Sequence, residues 1–135
     1  MGKSAFLAPI PYMHLEGALE VLKEKPFALF GTEAYDFFQD VETGAKVLIY
    51  RSHDDADPVV THQGIYCGYV GDMGEMRRLE RDGFRPETAV GERWAMYWKC
   101  SNIEMLPNPL PFGEIQLASG SYLRGYPRGP IEIVS

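Results

Sequence analysis

Three groups of side chains in this sequence could do chemistry. The first is aromatic. Phe30, Tyr35, Trp94 and Trp98 are flat apolar rings of the kind that wall a slot for a planar ligand. Stacking one base on such a ring is worth about 1–3 kcal/mol. Ser52, with Tyr50 two residues before it, and the backbone beside Gly64 could supply contacts to a ligand's edge. The plainer role for each ring is core packing, and for Ser52 a turn. The second group is basic. Arg77, Arg78, Arg81, Arg85 and Arg93 lie close together near Lys99, diluted by Asp72, Glu75, Glu80, Asp82 and Glu87. Arg77 and Arg78 could touch phosphates, although a solvated helix face is the plainer role. Arg124 and Arg128 flank Tyr126 in a glycine- and proline-rich loop, a combination that suits a single nucleic-acid strand, although a surface loop is the plainer role. The third group, His53, Asp54, Asp55, Asp57 and His62, has metal-ligating atoms but neither the glycine nor the closing glutamate of an EF-hand loop. It reads as a solvated acidic loop, and no metal is expected. No nucleophile elbow, phosphate-binding loop, H-E-x-x-H or dinucleotide fingerprint occurs. No cofactor is expected.

Composition narrows the classes. A chain of 135 residues with 45% apolar residues is expected to form one domain, residues 1–135, with an adequate core. A formal charge of −6 argues against a protein whose task is non-specific grip on duplex DNA. It leaves room for a pocket that reads one base. Aromatics at 13% suit such a pocket as well as a core. Cys67 and Cys100 fall within predicted strands and read as reduced, buried residues. No apolar run approaches the roughly 20 residues needed to span a bilayer, so no membrane contact is expected. Pro9 and Pro11 break the only apolar run near the start, and the expected setting is the bacterial cytoplasm.

The elements that must position these groups follow from periodicity. Ala5 to Ile10 reads as a strand ended by Pro9 and Pro11. Leu15, Ala18, Leu19 and Leu22 have helical spacing, with Pro26 as the stop. Phe27 to Phe30 reads as extended, and Thr32 as the cap of a helix carrying Tyr35, Phe37 and Phe38. Gly44 turns into a buried strand, Lys46 to Tyr50, which ends at Arg51 and Ser52. A polar loop to Pro58 leads to the strand Gln63 to Val70. There Gly64 and Gly68 mark a bulge or a close approach to the backbone. Asp72 with Glu75 matches a capping box for a helix over Met73 to Asp82, stopped by Gly83. Phe84 to Gly91 reads as loop. Arg93 to Leu106 alternates with period two and is closed by Pro107, Pro109 and Pro111. Phe112 to Leu117 reads as a helical turn or two, and Ile131 to Val134 as a last strand. Strands in separated pieces with a few helices predict an α+β fold.

The order of these segments resembles the EVE domain, a member of the PUA-like superfamily that also holds the YTH and ASCH domains. The matching places are Val41 to Ser52, VETGAKVLIYRS; Gln63 to Val70, QGIYCGYV; Arg93-Trp94 opening a long strand, with Leu106-Pro107-Asn108-Pro109-Leu110 after it; and Tyr122 to Ile133. Two segments depart. Leu7-Ala8-Pro9-Ile10-Pro11 stands where the family has Lys-Ser-Glu-Pro, and Phe30-Gly31-Thr32-Glu33 stands near its Trp-x-Gly-Val-Arg-Asn. Both family motifs line the family's pocket.

The resemblance implies a PUA-like mixed β pseudo-barrel with two to four short helices and a pocket for a nucleobase, often a modified one, in DNA or RNA. Phe30, Tyr35, Tyr50, Ser52, Gly64, Trp94 and Trp98 would then meet the base. Arg77, Arg78, Arg124 and Arg128 would meet the nucleic-acid backbone. The expected role is a non-catalytic binding module. The alternatives are a small hydrolase of modified nucleosides, for which Lys46, Thr61 and Glu104 are the ASCH-like residue types, and an interaction domain with a vestigial pocket.

Overall fold

The computed structural model describes residues 2–52, 57–86 and 94–135. The elements run β1 (Lys3–Pro11), α1 (Tyr12–Val21), β2 (Ala28–Thr32), α2 (Tyr35–Phe38), β3 (Val41–Ser52), β4 (Val59–Val70), α3 (Met73–Arg81), β5 (Met96–Pro111), a 3-10 turn at Phe112–Glu114, and β6 (Ile131–Glu132). The strands form one six-stranded sheet in the order β2-β5-β4-β3-β1-β6. β1 runs parallel to β3, and every other pairing is antiparallel. This is the α+β class expected, a mixed sheet with short helices.

β3 explains why both faces of the sheet are covered. Its residues alternate sides, so Ala45, Val47 and Ile49 enter one core while Leu48 and Tyr50 enter another. The first core is centred on Phe6. The rings of Phe37, Phe38, Tyr66 and Trp98 stand edge-on to it at 5.4–5.8 Å. Helix α1 adds Leu15 and Ala18 to this core. The second core sets Tyr50 against Phe112, with Val60, Ile115 and Leu123 around them. A third, smaller cluster packs Met76 and Leu79 of α3 onto Leu29, Val70 and Tyr97.

The sheet is curled. Phe6 of β1 and Trp98 of β5 belong to strands separated by β4 and β3. In a flat sheet those strands would lie about 14 Å apart. Their rings meet at 5.4 Å, so the sheet bends around the first core and brings its two edges towards each other.

Several boundaries differ from the sequence expectation. β1 continues through Pro9 and Pro11, and β5 through Pro107, Pro109 and Pro111. In each case the prolines occupy alternate positions, so all their nitrogens face the same edge. β2 pairs with β5 only over Met96 to Cys100, and β6 pairs with β1 only at Phe6 and Leu7. Beyond those points one edge is open, where a proline costs no ladder bond. β3 begins at Val41 and not at Lys46, so Gly44, at φ +95°, lies within the strand rather than in a turn before it. Thr32 closes β2 and does not cap α2; its Oγ1 accepts from the Ala34 N–H at 2.9 Å. Helix α3 is capped by Asp72, whose Oδ2 accepts from the Glu75 N–H at 2.8 Å. The Glu75 carboxylate pairs with Arg78 instead of closing the capping box. Cys100 is buried, but Cys67 is only half-buried, its Sγ 3.2 Å from Ser101 Oγ. Among the described residues, no helix is long and apolar enough to cross a membrane.

Candidate ligand pocket

A cavity of about 440 Å³ opens where the two edges of the curled sheet approach. Pockets for small molecules commonly span about 300–1,000 Å³. One wall is the end of β1, Ala8 to Pro11, with His14 from the first turn of α1. The facing wall is β2 from Leu29 to Thr32, with Trp98 of β5 and Trp94. Arg85 and Pro86 close one side, and Arg128, Gly129 and Pro130 the other. Residues 8–11 and 30–33 thus meet across one hollow.

The aromatic wall is built by local packing. Phe30 and Trp98 pair across β2 and β5 and lie 5.0 Å apart, tilted by 39°. Trp98 is also part of the Phe6 cluster, which fixes its orientation from behind. Trp94 lies directly on Gly31: a Cβ there would come within 2.2 Å of Trp94 Cδ1. Only a glycine lets the indole approach the strand so closely. The segment carrying Arg85 is tied to β2 through the Leu29 N–H, which donates to the Phe84 carbonyl at 3.0 Å. Phe27 stacks on Phe84 at 4.6 Å. Arg85 is buried, its guanidinium 4.4 Å from the centre of the Tyr97 ring. The chain as a whole is acidic, yet the charged groups at this cavity are Arg85 and Arg128 against Glu33, with His14 beside them.

The residues singled out from sequence divide as follows. Phe30, Trp94, Trp98 and Arg128 line the cavity. Ser52 is half-buried and pairs with Pro11, one strand away from the cavity wall. Tyr50 turns to the opposite face of the sheet and packs on Phe112 and Tyr126, where burial raises its pKa. Tyr35 is exposed on α2, edge-on to Tyr69. Gly64 is the point of a close approach, but the group that approaches is the protein's own: a Cβ there would be 2.8 Å from Cys100 Sγ. Arg77 and Arg78 are exposed on α3, away from the cavity, with Arg78 paired to Glu75 and Asp82. Arg124 is exposed in the loop before Arg128.

Gly31, His14 and Arg85 are cavity residues that spacing did not single out. The Phe-Gly-Thr-Glu run on a short strand was the available signal for Gly31. Nothing in the sequence marks Arg85 as buried.

Two other clusters stand apart. Lys46 and Glu104 are exposed, and neither they nor Thr61 line the cavity. Residues 53–56 lie outside the described residues, and so does Arg93. Asp57 is exposed, and among the described residues no three metal-ligating side chains gather. His62 is buried, with Thr61 Oγ1 2.7 Å from its Nδ1. Burial, and then Arg51, push its pKa down, and Glu16 opposes them.

No family model matches the chain, the EVE domain included, and no curated protein matches it. Among solved structures it is similar to the crystal structure of ASCH from Zymomonas mobilis. The identity is 15% over 80% of this chain and 73% of that chain, with a TM-score of 0.49.

Proposed function

We propose that this chain is a binding module that takes a nucleobase, or a planar heterocycle of that size, into the cavity between β1 and β2. The observation that carries the reading is the wall itself: three rings, Phe30, Trp94 and Trp98, at one hollow, with Trp94 seated on a glycine. A flat ligand enclosed by such rings gains stacking and loses water from both faces. Arg128 at the rim and Arg85 in the wall suit a ligand that carries phosphate, either as a nucleotide or as part of a strand. The Tyr126–Arg128 loop would then hold the backbone of an attached DNA or RNA. The sequence resemblance to EVE domains supports a modified base as the ligand and a PUA-like origin for the fold.

The test uses the chain's own reporters. Trp94 and Trp98 are its only two tryptophans, and both line the cavity. Titration with unmodified and modified nucleosides, and with short oligonucleotides containing them, is expected to give a saturable change in tryptophan emission. Trp94→Ala is expected to weaken that binding. A folded protein whose emission answers to no member of the panel would refute the proposal.

A further inference from the structure

The ladder between β1 and β6 stops inside the cavity wall. The Ile133 N–H donates to the Ala5 carbonyl at 3.2 Å. Phe6 stands opposite Glu132, and Leu7 opposite Ile131. Residues that exchange hydrogen bonds recur at every second position of an antiparallel pair. Ala5 with Ile133 and Leu7 with Ile131 are therefore such pairs, and the same register continued would set Pro9 against Gly129.

That pair does not form, because β6 begins at Ile131. Pro9 has no N–H, so at most one of the two bonds of a pair could exist there. Pro9 and Gly129 instead both line the cavity. By the alternation, the Pro9 carbonyl faces the edge away from β3, towards Gly129. Among the described residues, the β1–β6 pairing does not reach Pro9 or Gly129, and outside the strand ladders neither backbone joins another backbone group. A Cβ on Gly129 would meet nothing within 4 Å, so the space beside it is open.

We propose that the polar edge of the ligand completes this interrupted ladder. The ligand donates a hydrogen bond to the Pro9 carbonyl and accepts one from the Gly129 N–H, while its faces stack on the rings. The inference rests on the pocket reading above and adds the chemistry of the edge. It calls for a donor beside an acceptor, as in the N–H and C=O of a lactam or the amino group and ring nitrogen of an amidine. Proline at position 9 sets the polarity, since that wall can accept but not donate. Backbone groups read the ligand here, which is why no polar side-chain motif announces the site in the sequence.

The test compares ligands on the unaltered protein. Uridine, cytidine and adenosine, free or within a short oligonucleotide, are titrated against tryptophan emission beside 3-methyluridine, N4,N4-dimethylcytidine and N6,N6-dimethyladenosine. The methylated forms keep the ring and lose the donor. Controls methylated at pyrimidine carbon 5 keep the edge. The expected result is a loss of roughly tenfold in affinity for the edge-blocked forms, the size of one buried hydrogen bond left unmade, and little change for the controls. Gly129→Pro removes the N–H and is expected to show a similar loss. If parent and edge-blocked ligands bind within twofold of one another, the ladder proposal is overturned and the pocket reading stands. If no nucleoside or oligonucleotide changes the emission, both fall. Should Gly129→Pro fail to fold, the ligand comparison alone decides.

Discussion

Gly31→Ala perturbs the candidate pocket through a single methyl group. Built on the present backbone, the new Cβ would lie 2.2 Å from Trp94 Cδ1, 2.3 Å from Cγ and 2.5 Å from Nε1. Ordinary contact begins at 3.4 Å, so the indole must retreat by at least about 1 Å. Trp94 is half-buried, and its retreat from Gly31 would leave Phe30 and Trp98 as the remaining wall. A base that stacks on Trp94 then loses about 1–3 kcal/mol, which is roughly 5- to 150-fold in Kd. The fold should suffer less. Gly31 has no positive φ, and alanine in a strand interior is favoured over glycine by about 0.5–1 kcal/mol. That gain offsets part of the crowding. Two measurements separate the effects. Without ligand, the variant's tryptophan emission should shift to the red and become more accessible to iodide, while its melting temperature moves by a few degrees at most. With ligand, affinity should fall within the stated range. Wild-type emission together with wild-type affinity would refute the claim that the Gly31–Trp94 contact builds the wall.

Three further outcomes follow from the packing and charge. Gly64→Ala would press a Cβ to 2.8 Å from Cys100 Sγ and 3.1 Å from the Ser101 carbonyl. It should destabilise by about 1–3 kcal/mol, typical of overpacking, and chemical denaturation should show this with the denaturant slope unchanged. His62 has a pKa held below its usual value when folded, by burial and then by Arg51. The unfolded chain therefore binds this proton more readily, and stability present above about pH 6.5 is lost as pH falls towards the folded value. Replacing His62 with Phe should flatten denaturation midpoints between pH 7 and 5; an unchanged slope would show that the histidine does not govern it. Arg128→Gln should weaken binding of a nucleoside monophosphate more than of the nucleoside, and should lower the salt slope of oligonucleotide binding by about one unit. Equal effects on both ligands would argue that Arg128 does not meet a phosphate.

Much of the framework was legible because it depends on local pattern. The Asp72 cap, the helix over 73–81 and the alternating strand through Trp98 can all be read from neighbours in the sequence. Side-of-sheet questions were less accessible. Tyr50 and Ser52 are close in sequence to the strand end beside the cavity. Yet period two sends Tyr50 to the opposite core, a consequence of which face Val47 and Ile49 occupy. Pro9, Pro11, Pro107, Pro109 and Pro111 read as stops in a sequence, which does not show which edge a nitrogen faces. Gly64 signalled a close approach correctly in kind, but its neighbour is Cys100 rather than a ligand. Arg85 was invisible as a wall residue, because its burial arises from the contact of residues 84–86 with β2 and Tyr97, which no spacing rule encodes.

The cavity draws its walls from residue 8 through to residue 130, whereas the Phe6 cluster is complete once Trp98 is in place. A chain emerging from the ribosome can therefore bury its main core some thirty residues before it owns a finished binding site. The same order applies in reverse to damage. A single protease cut between Ala118 and Pro127 would leave β6 paired with β1 but untether the Arg128 side of the hollow at one end, so ligand capture should weaken while the Phe6 core stays folded.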